Sequence, residues 1–198
     1  MGEDNSTGAL PLLRAAELIG AYRWTERRLF ELTGAWAADA DLPAVQVFFD
    51  RVSTEHAWHA ELFEARLPAL DGTDRERLTR PAGPTLGPLV DTLAETAPTR
   101  SRLAGYVRVV LPRLLVTYDR HLARAVPVAD GPVVRALRLV RRDELEAWGE
   151  GEALAQGSLG SAAEADEVAE AQRQLERAVV EAGVGEGLVP WPEGSTGR

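Results

Sequence analysis

The chain has 198 residues, 45% apolar and 27% charged, which is the composition of one folded domain with a sizeable core rather than of a disordered segment. Its formal net charge of −9 argues against general nucleic-acid binding, which needs a basic footprint on the phosphates. There is no cysteine, which removes disulfides, thiolate metal sites and cysteine nucleophiles, and all 22 basic residues are arginine, which removes lysine Schiff-base chemistry and lysine-dependent phosphate loops.

Residues 1–9 are polar and acidic, so they read as a disordered N-terminus and not as a signal peptide. A first helix is expected from about Leu10 to Ala38, with Pro11 in its first turn and Leu12, Ala16, Ile19, Leu29 and Trp36 on its apolar face. After three or four connecting residues a second helix runs from about Leu42 to Leu67, capped by Asp41. Its stripe is Val45, Phe48, Phe49, Val52, Leu62 and Phe63. Pro68–Thr99 is a Pro- and Gly-rich crossover with one short helix at about Leu86–Thr96. The third long helix is expected from about Arg100 to Val126, kinked at Pro112. A turn at Pro127–Gly131 leads to a fourth helix from Pro132 to about Gln156. A further amphipathic helix spans about Ala162–Ala182, and residues 183–198 form an irregular tail with Trp191 as an anchor between two prolines. No strand pattern and no membrane-length apolar run is present, and the default compartment is the cytoplasm.

The predicted fold is therefore all-α: an antiparallel four-helix bundle with a long crossover between helices two and three and an extra C-terminal helix, over residues 10–182. Extending the apolar stripes meets charged groups where hydrophobes belong. Glu26 falls in line with Ile19, Tyr22, Leu29 and Thr33. Glu55, His56 and His59 continue from Val52 towards Phe63. Glu144 follows Leu137 and Val140 and precedes Ala147. Counted from the shared loops, Glu26, Glu55 and Glu144 each lie roughly 18–20 Å along their helices, so they are expected to meet near mid-bundle with His59 one turn from Glu55. A buried carboxylate is costly unless paired or metal-bound, so three at one level need a reason.

In helix count, loop pattern and inward carboxylates the chain resembles the ferritin-like superfamily of di-iron carboxylate bundles. The phrase Glu55-His56-Ala57-Trp58-His59-Ala60-Glu61-Leu62 is similar to the second-helix metal motif of such proteins. The resemblance implies a Glu from each of two helices and Glu-x-x-His from each of the other two, with Glu26, Glu55 and Glu144 matching three of these carboxylates. Trp58 and Ala147 stand where histidines would be, His59 is one position late, and the third helix has no carboxylate at the matching height. The complement left is Glu26, Glu55, Glu144, His56 and His59, a reduced or vestigial site for iron or manganese.

Three functions follow from that reading. The first is a non-haem metal-dependent oxidoreductase acting on a small-molecule substrate, with Glu26, Glu55 and His59 as its catalytic groups. The second is a metal-free acid–base enzyme using the buried Glu/His pair. The third is a binding or interaction module, or a homodimer formed through an outer helix face, with the inner polar groups as a satisfied network and Glu144 paired to Arg141 or Arg142. Iron storage is the weakest, since it needs a complete centre and a cage. Tyr22 is expected to donate to Glu26, Tyr118 and His121 to bond locally, and Trp24, Trp36, Trp58 and Trp148 to pack in the core or the helix seams.

Overall fold

A computed structural model describes residues 10–69, 74–96 and 98–192 of the chain. The described residues are helical with no strand. The expected disordered N-terminus and the end of the tail, residues 193–198, lie outside them.

Four long rods carry the core. The first is α1, Leu12–Asp39, and the second is α2, Pro43–Glu64; they lie side by side along their lengths. Residues 65–98 cross over with two short helices, α3 (Arg75–Leu78) and α4 (Leu86–Ala94). The third rod is α5 (Thr99–Gly105), a π-helical turn (Tyr106–Val110) and α6 (Leu111–Arg124) in unbroken succession. The fourth is α7, Pro127–Gly157, which packs against α2, α5 and α6. A final helix, α8 (Ala162–Glu181), lies against α4, α5 and the π turn. No described helix is long and apolar enough to cross a membrane.

The bend expected at Pro112 takes the form of the π turn. Proline has no N–H for the carbonyl one turn back, so the helix widens just ahead of it: Leu111 N–H bonds Tyr106 O, five residues back. The Arg113 guanidinium donates to the Val109 carbonyl at 3.0 Å. The fourth rod begins five residues before the expected Pro132. Pro127 takes the first helical position, where no N–H is needed, and Asp130 accepts from the Val126 N–H at 2.7 Å. Pro132 then sits inside the helix, and the residue whose carbonyl loses its partner, Val128, is 97% exposed, so water can satisfy it.

The helix at α3 was not expected from the sequence. It is one turn, capped by the Asp74 side chain accepting from Glu76 N–H, and too short for any periodicity to register. Tertiary contacts hold it. The buried Arg23 guanidinium of α1 bonds Glu64 of α2 at 2.9 Å, Glu76 of α3 at 2.7 Å and Thr79 at 2.6 Å, tying the crossover to the first two rods. The helices touch where α1 carries Gly20: a Cβ there would stand 2.1 Å from the Leu78 carbonyl oxygen.

That oxygen is backbone and cannot step aside. Gly20→Ala is therefore expected to destabilise by about 1–3 kcal/mol, or roughly 2–12 °C in Tm. Gly149→Ala in α7, with open space around it, is expected to stabilise by about 0.5–1 kcal/mol. Thermal unfolding of the two variants checks the pair.

Candidate metal centre

The buried face of α2 is Val45, Phe48, Phe49, Val52, His56, His59 and Phe63. At about 100° per residue Glu55 falls about 70° from the middle of that stripe, just beyond Phe48 at its edge. The structure accordingly leaves it at the rim, paired with Arg51 on the next turn, its side chain 29% exposed. The expectation that Glu55 joins the interior site is thus corrected. Both histidines turn inward instead, at 0–1% exposure.

They meet Glu26 from α1 and Glu144 from α7, both at most 2% exposed. His56 Nδ1 lies 2.6 Å from Glu26 Oε2 and 3.4 Å from Glu144 Oε1. His59 Nδ1 lies 3.2 Å from Glu144 Oε1 and 3.5 Å from Glu26 Oε2. One donor atom from each of the four residues falls within 4.8 Å of all the others, a spacing at which they could hold one metal ion. Glu144 therefore belongs to the histidines and not to Arg141 or Arg142, which pair with Asp119 and Asp143.

A second layer supports these four. Tyr106 accepts from His56 Nε2–H at 2.8 Å, Asp143 lies 3.4 Å from His59 Nε2, and the Tyr118 hydroxyl donates to Glu26 Oε1. Tyr106 and Asp143 carried no signal that sequence reasoning used, and Tyr118 was expected to bond locally. The third rod thus contributes two phenols and no carboxylate. On an unbroken α-helix, residues 106 and 118 would point about 120° apart. The extra residue of the π turn brings that to about 20°, so both hydroxyls face the same cluster.

Tyr22 was expected to donate to Glu26. Its hydroxyl lies instead 3.2 Å from His121 Nδ1, and we assign Tyr22 as donor to the neutral imidazole. Trp36 is core at 2% exposure and Trp24 is half-buried against it, but Trp58 and Trp148 are 43% and 41% exposed. Both fall off the buried stripes of their helices, which corrects their expected place in the seams.

Two carboxylates in a dry interior demand two positive charges. Without an ion, both imidazoles supply them. Burial alone would raise the Glu26 carboxyl, but His56 and His59 hold it down to about 2. Burial alone would lower His59, but its hydrogen bonds to Glu144 and Glu26 and their charges push it up to about 11; His56 is raised by the same two carboxylates against its own burial. Burial lowers His121 to about 4. Burial also raises Tyr106 and Tyr118, reinforced by the nearby carboxylates, so both stay phenols.

No family model matches this chain, and neither a curated protein nor a solved structure matches it.

The shifts set the pH response of the metal-free protein. The raised His59 contributes stability that is complete below its ordinary 6.5 and drains away as pH climbs towards 11. The lowered groups act oppositely: His121 withdraws its contribution as pH falls from 6.5 towards 4, and Glu26 as pH falls from 4.5 towards 2. Urea midpoints in chelator are expected to decline from pH 6.5 to about 9.5, below the tyrosine range, and His59→Asn is expected to flatten that decline.

Proposed function

We propose that this chain is a ferritin-like four-helix bundle that binds a single iron or manganese ion between Glu26, His56, His59 and Glu144 and acts as a non-haem oxidoreductase. The observation that carries the reading is the donor set itself. Two carboxylates and two imidazoles, from three different rods, bring one ligand atom each within 4.8 Å of one another in a dry interior.

The residues present fit such an ion on three counts. The two negative charges of the carboxylates balance a divalent cation once both imidazoles are neutral. Each histidine offers Nδ1 inward and keeps Nε2–H on an outer partner, Tyr106 or Asp143, the arrangement that fixes the tautomer of a metal-binding imidazole. Imidazole with carboxylate also suits iron and manganese in charge and softness. Bound there, a redox-active ion supplies one-electron chemistry and a Lewis-acid centre.

The chain's own groups define what reaches it. Tyr118 occupies Glu26 Oε1 and leaves Oε2 to face the two histidines. The ligands are at most 2% exposed, so bulk water is held off. The connectivity supports the ferritin-like part of the reading: short links at residues 40–42 and 125–126 enclose the long crossover at 65–98.

A second reading, a metal-free interaction module, is favoured by the exposed Trp58, Leu145 and Trp148 on α2 and α7.

Titration of chelator-treated protein with Mn²⁺ or with Fe²⁺ under argon separates the two. The expected result is about one ion per chain, released protons, and a Tm gain of roughly 5–10 °C at a hundredfold excess over Kd. His56→Ala and Glu144→Ala should abolish binding, Asp143→Asn should weaken it about 10–100-fold, and Glu55→Ala should leave it unchanged. Absence of binding, or equal binding by His56→Ala, would leave only the interaction reading.

A further inference from the structure

The chain has three tyrosines and three histidines, and all six belong to the cluster or continue outward from it through one connected set of contacts. From Glu26 the line runs to the Tyr118 hydroxyl. The Tyr118 ring stands edge-on to Tyr22, centroids 5.4 Å apart at 87°. The Tyr22 hydroxyl meets His121 Nδ1 at 3.2 Å, and the His121 ring meets Trp191 at 5.4 Å and 76°. Tyr22, Tyr118 and His121 are at most 4% exposed, whereas Trp191 is half-buried and lines a surface recess of about 200 Å³ with Arg14, Leu18 and Pro190.

We propose that Tyr118, Tyr22, His121 and Trp191 form a one-electron conduit between the interior cluster and the surface. Packing alone does not ask for these residues. Phe63 fills the neighbouring space at 5.3 Å from Tyr22 and 5.7 Å from Tyr118 with no hydroxyl to satisfy. The chain after α8 folds back to place the indole: Leu188 N–H bonds Arg113 O and Val189 N–H bonds Thr117 Oγ1, each at 3.1 Å, and the Arg124 guanidinium lies 5.2 Å from the Trp191 ring centre.

Each phenol has a place for its proton. An electron leaving Tyr118 inward sends its proton to Glu26 Oε1. An electron passing from Tyr22 to Tyr118 restores that proton and sends the Tyr22 proton to His121 Nδ1. An electron passing from Trp191 to Tyr22 restores the second proton, and the indole N–H proton goes to solvent, the neutral radical being favoured beside Arg124. With a peroxide as oxidant inside and a small phenol as donor at the recess, each phenol restores Trp191 with its electron and proton, the two protons lost from the indole are matched by two that solvent returns to the peroxide, and the sum is H2O2 + 2 ArOH → 2 H2O + 2 ArO•. That overall reaction rests on the proposed metal site; the conduit does not.

The conduit is tested in the metal-free, full-length protein, so a failure to bind metal leaves the result untouched. The oxidant is hexachloroiridate(IV), too large to enter the core, which removes one electron at the surface and becomes hexachloroiridate(III). Freeze-quenched EPR is expected to show a tyrosyl radical. Trp191→Leu should abolish it, and Trp148→Leu, exposed but off the line, should leave it intact. Tyr22→Phe keeps the packing and removes the proton partner, so it should trap the signal on tryptophan. A wild-type tyrosyl yield in Trp191→Leu or in Tyr22→Phe overturns the conduit, as does an equal loss in Trp148→Leu.

Discussion

Two carboxylates sealed among apolar side chains set the terms for the rest of this molecule. Glu26 and Glu144 are each a heavy desolvation cost, and only positive charge at contact distance makes them tolerable. His56 and His59 stand at that distance, and either their two protons or one divalent cation closes the balance. Either way the four side chains come to no net charge. The outer partners follow from the same constraint, since each imidazole needs a second hydrogen-bond partner and Glu26 a donor for its other oxygen.

Much of this was legible in the residues. The stripes through Ile19, Tyr22 and Leu29, and through Leu137 and Val140, run straight into Glu26 and Glu144, and both are buried. The helix periods and the Pro- and Gly-rich crossover gave the rods to within a few residues. What failed was angular resolution. Glu55 and His56 are neighbours on α2, and counting in steps of three and four takes in both, although at 100° per residue only His56 lies well inside the stripe. The resemblance to the second-helix metal motif, whose carboxylate Glu55 matches, favoured the carboxylate. The structure favours the imidazole, because Arg51 is one turn away to hold Glu55 at the rim.

Other features depend on contacts distant in sequence. Nothing local distinguishes Tyr106 and Tyr118 from core aromatics, and only the α1 and α2 groups facing them reveal their hydroxyls as partners. Tyr22 and His121 are 99 residues apart. The α3 turn exists because Arg23 reaches Glu76 and Gly20 lets Leu78 close, neither of which a window of a dozen residues contains. The start of α7 was misjudged for a different reason: two prolines five residues apart both suit a helix start, and the inner one is tolerated because its orphaned carbonyl is at the surface.

The wide turn at Tyr106–Val110 has a consequence for how this chain tolerates changes of length. A rod with one supernumerary residue has two halves with different partners: α5 packs on α8, α6 reaches the first rod through Tyr118 and His121 and the tail through Arg113 and Thr117, and both lean on α7. Excising a single codon there would restore a regular spiral and leave everything downstream facing as it does now, because the wide turn already takes up that residue, whereas one more residue would swing the downstream half by about 100°. Tyr118, His121 and the perch of Trp191 would keep their partners in the first case and be carried away from them together in the second. Gene copies that lose one position in this short stretch would keep both the rods and the alignment, and those that gain one would keep the rods and forfeit the alignment.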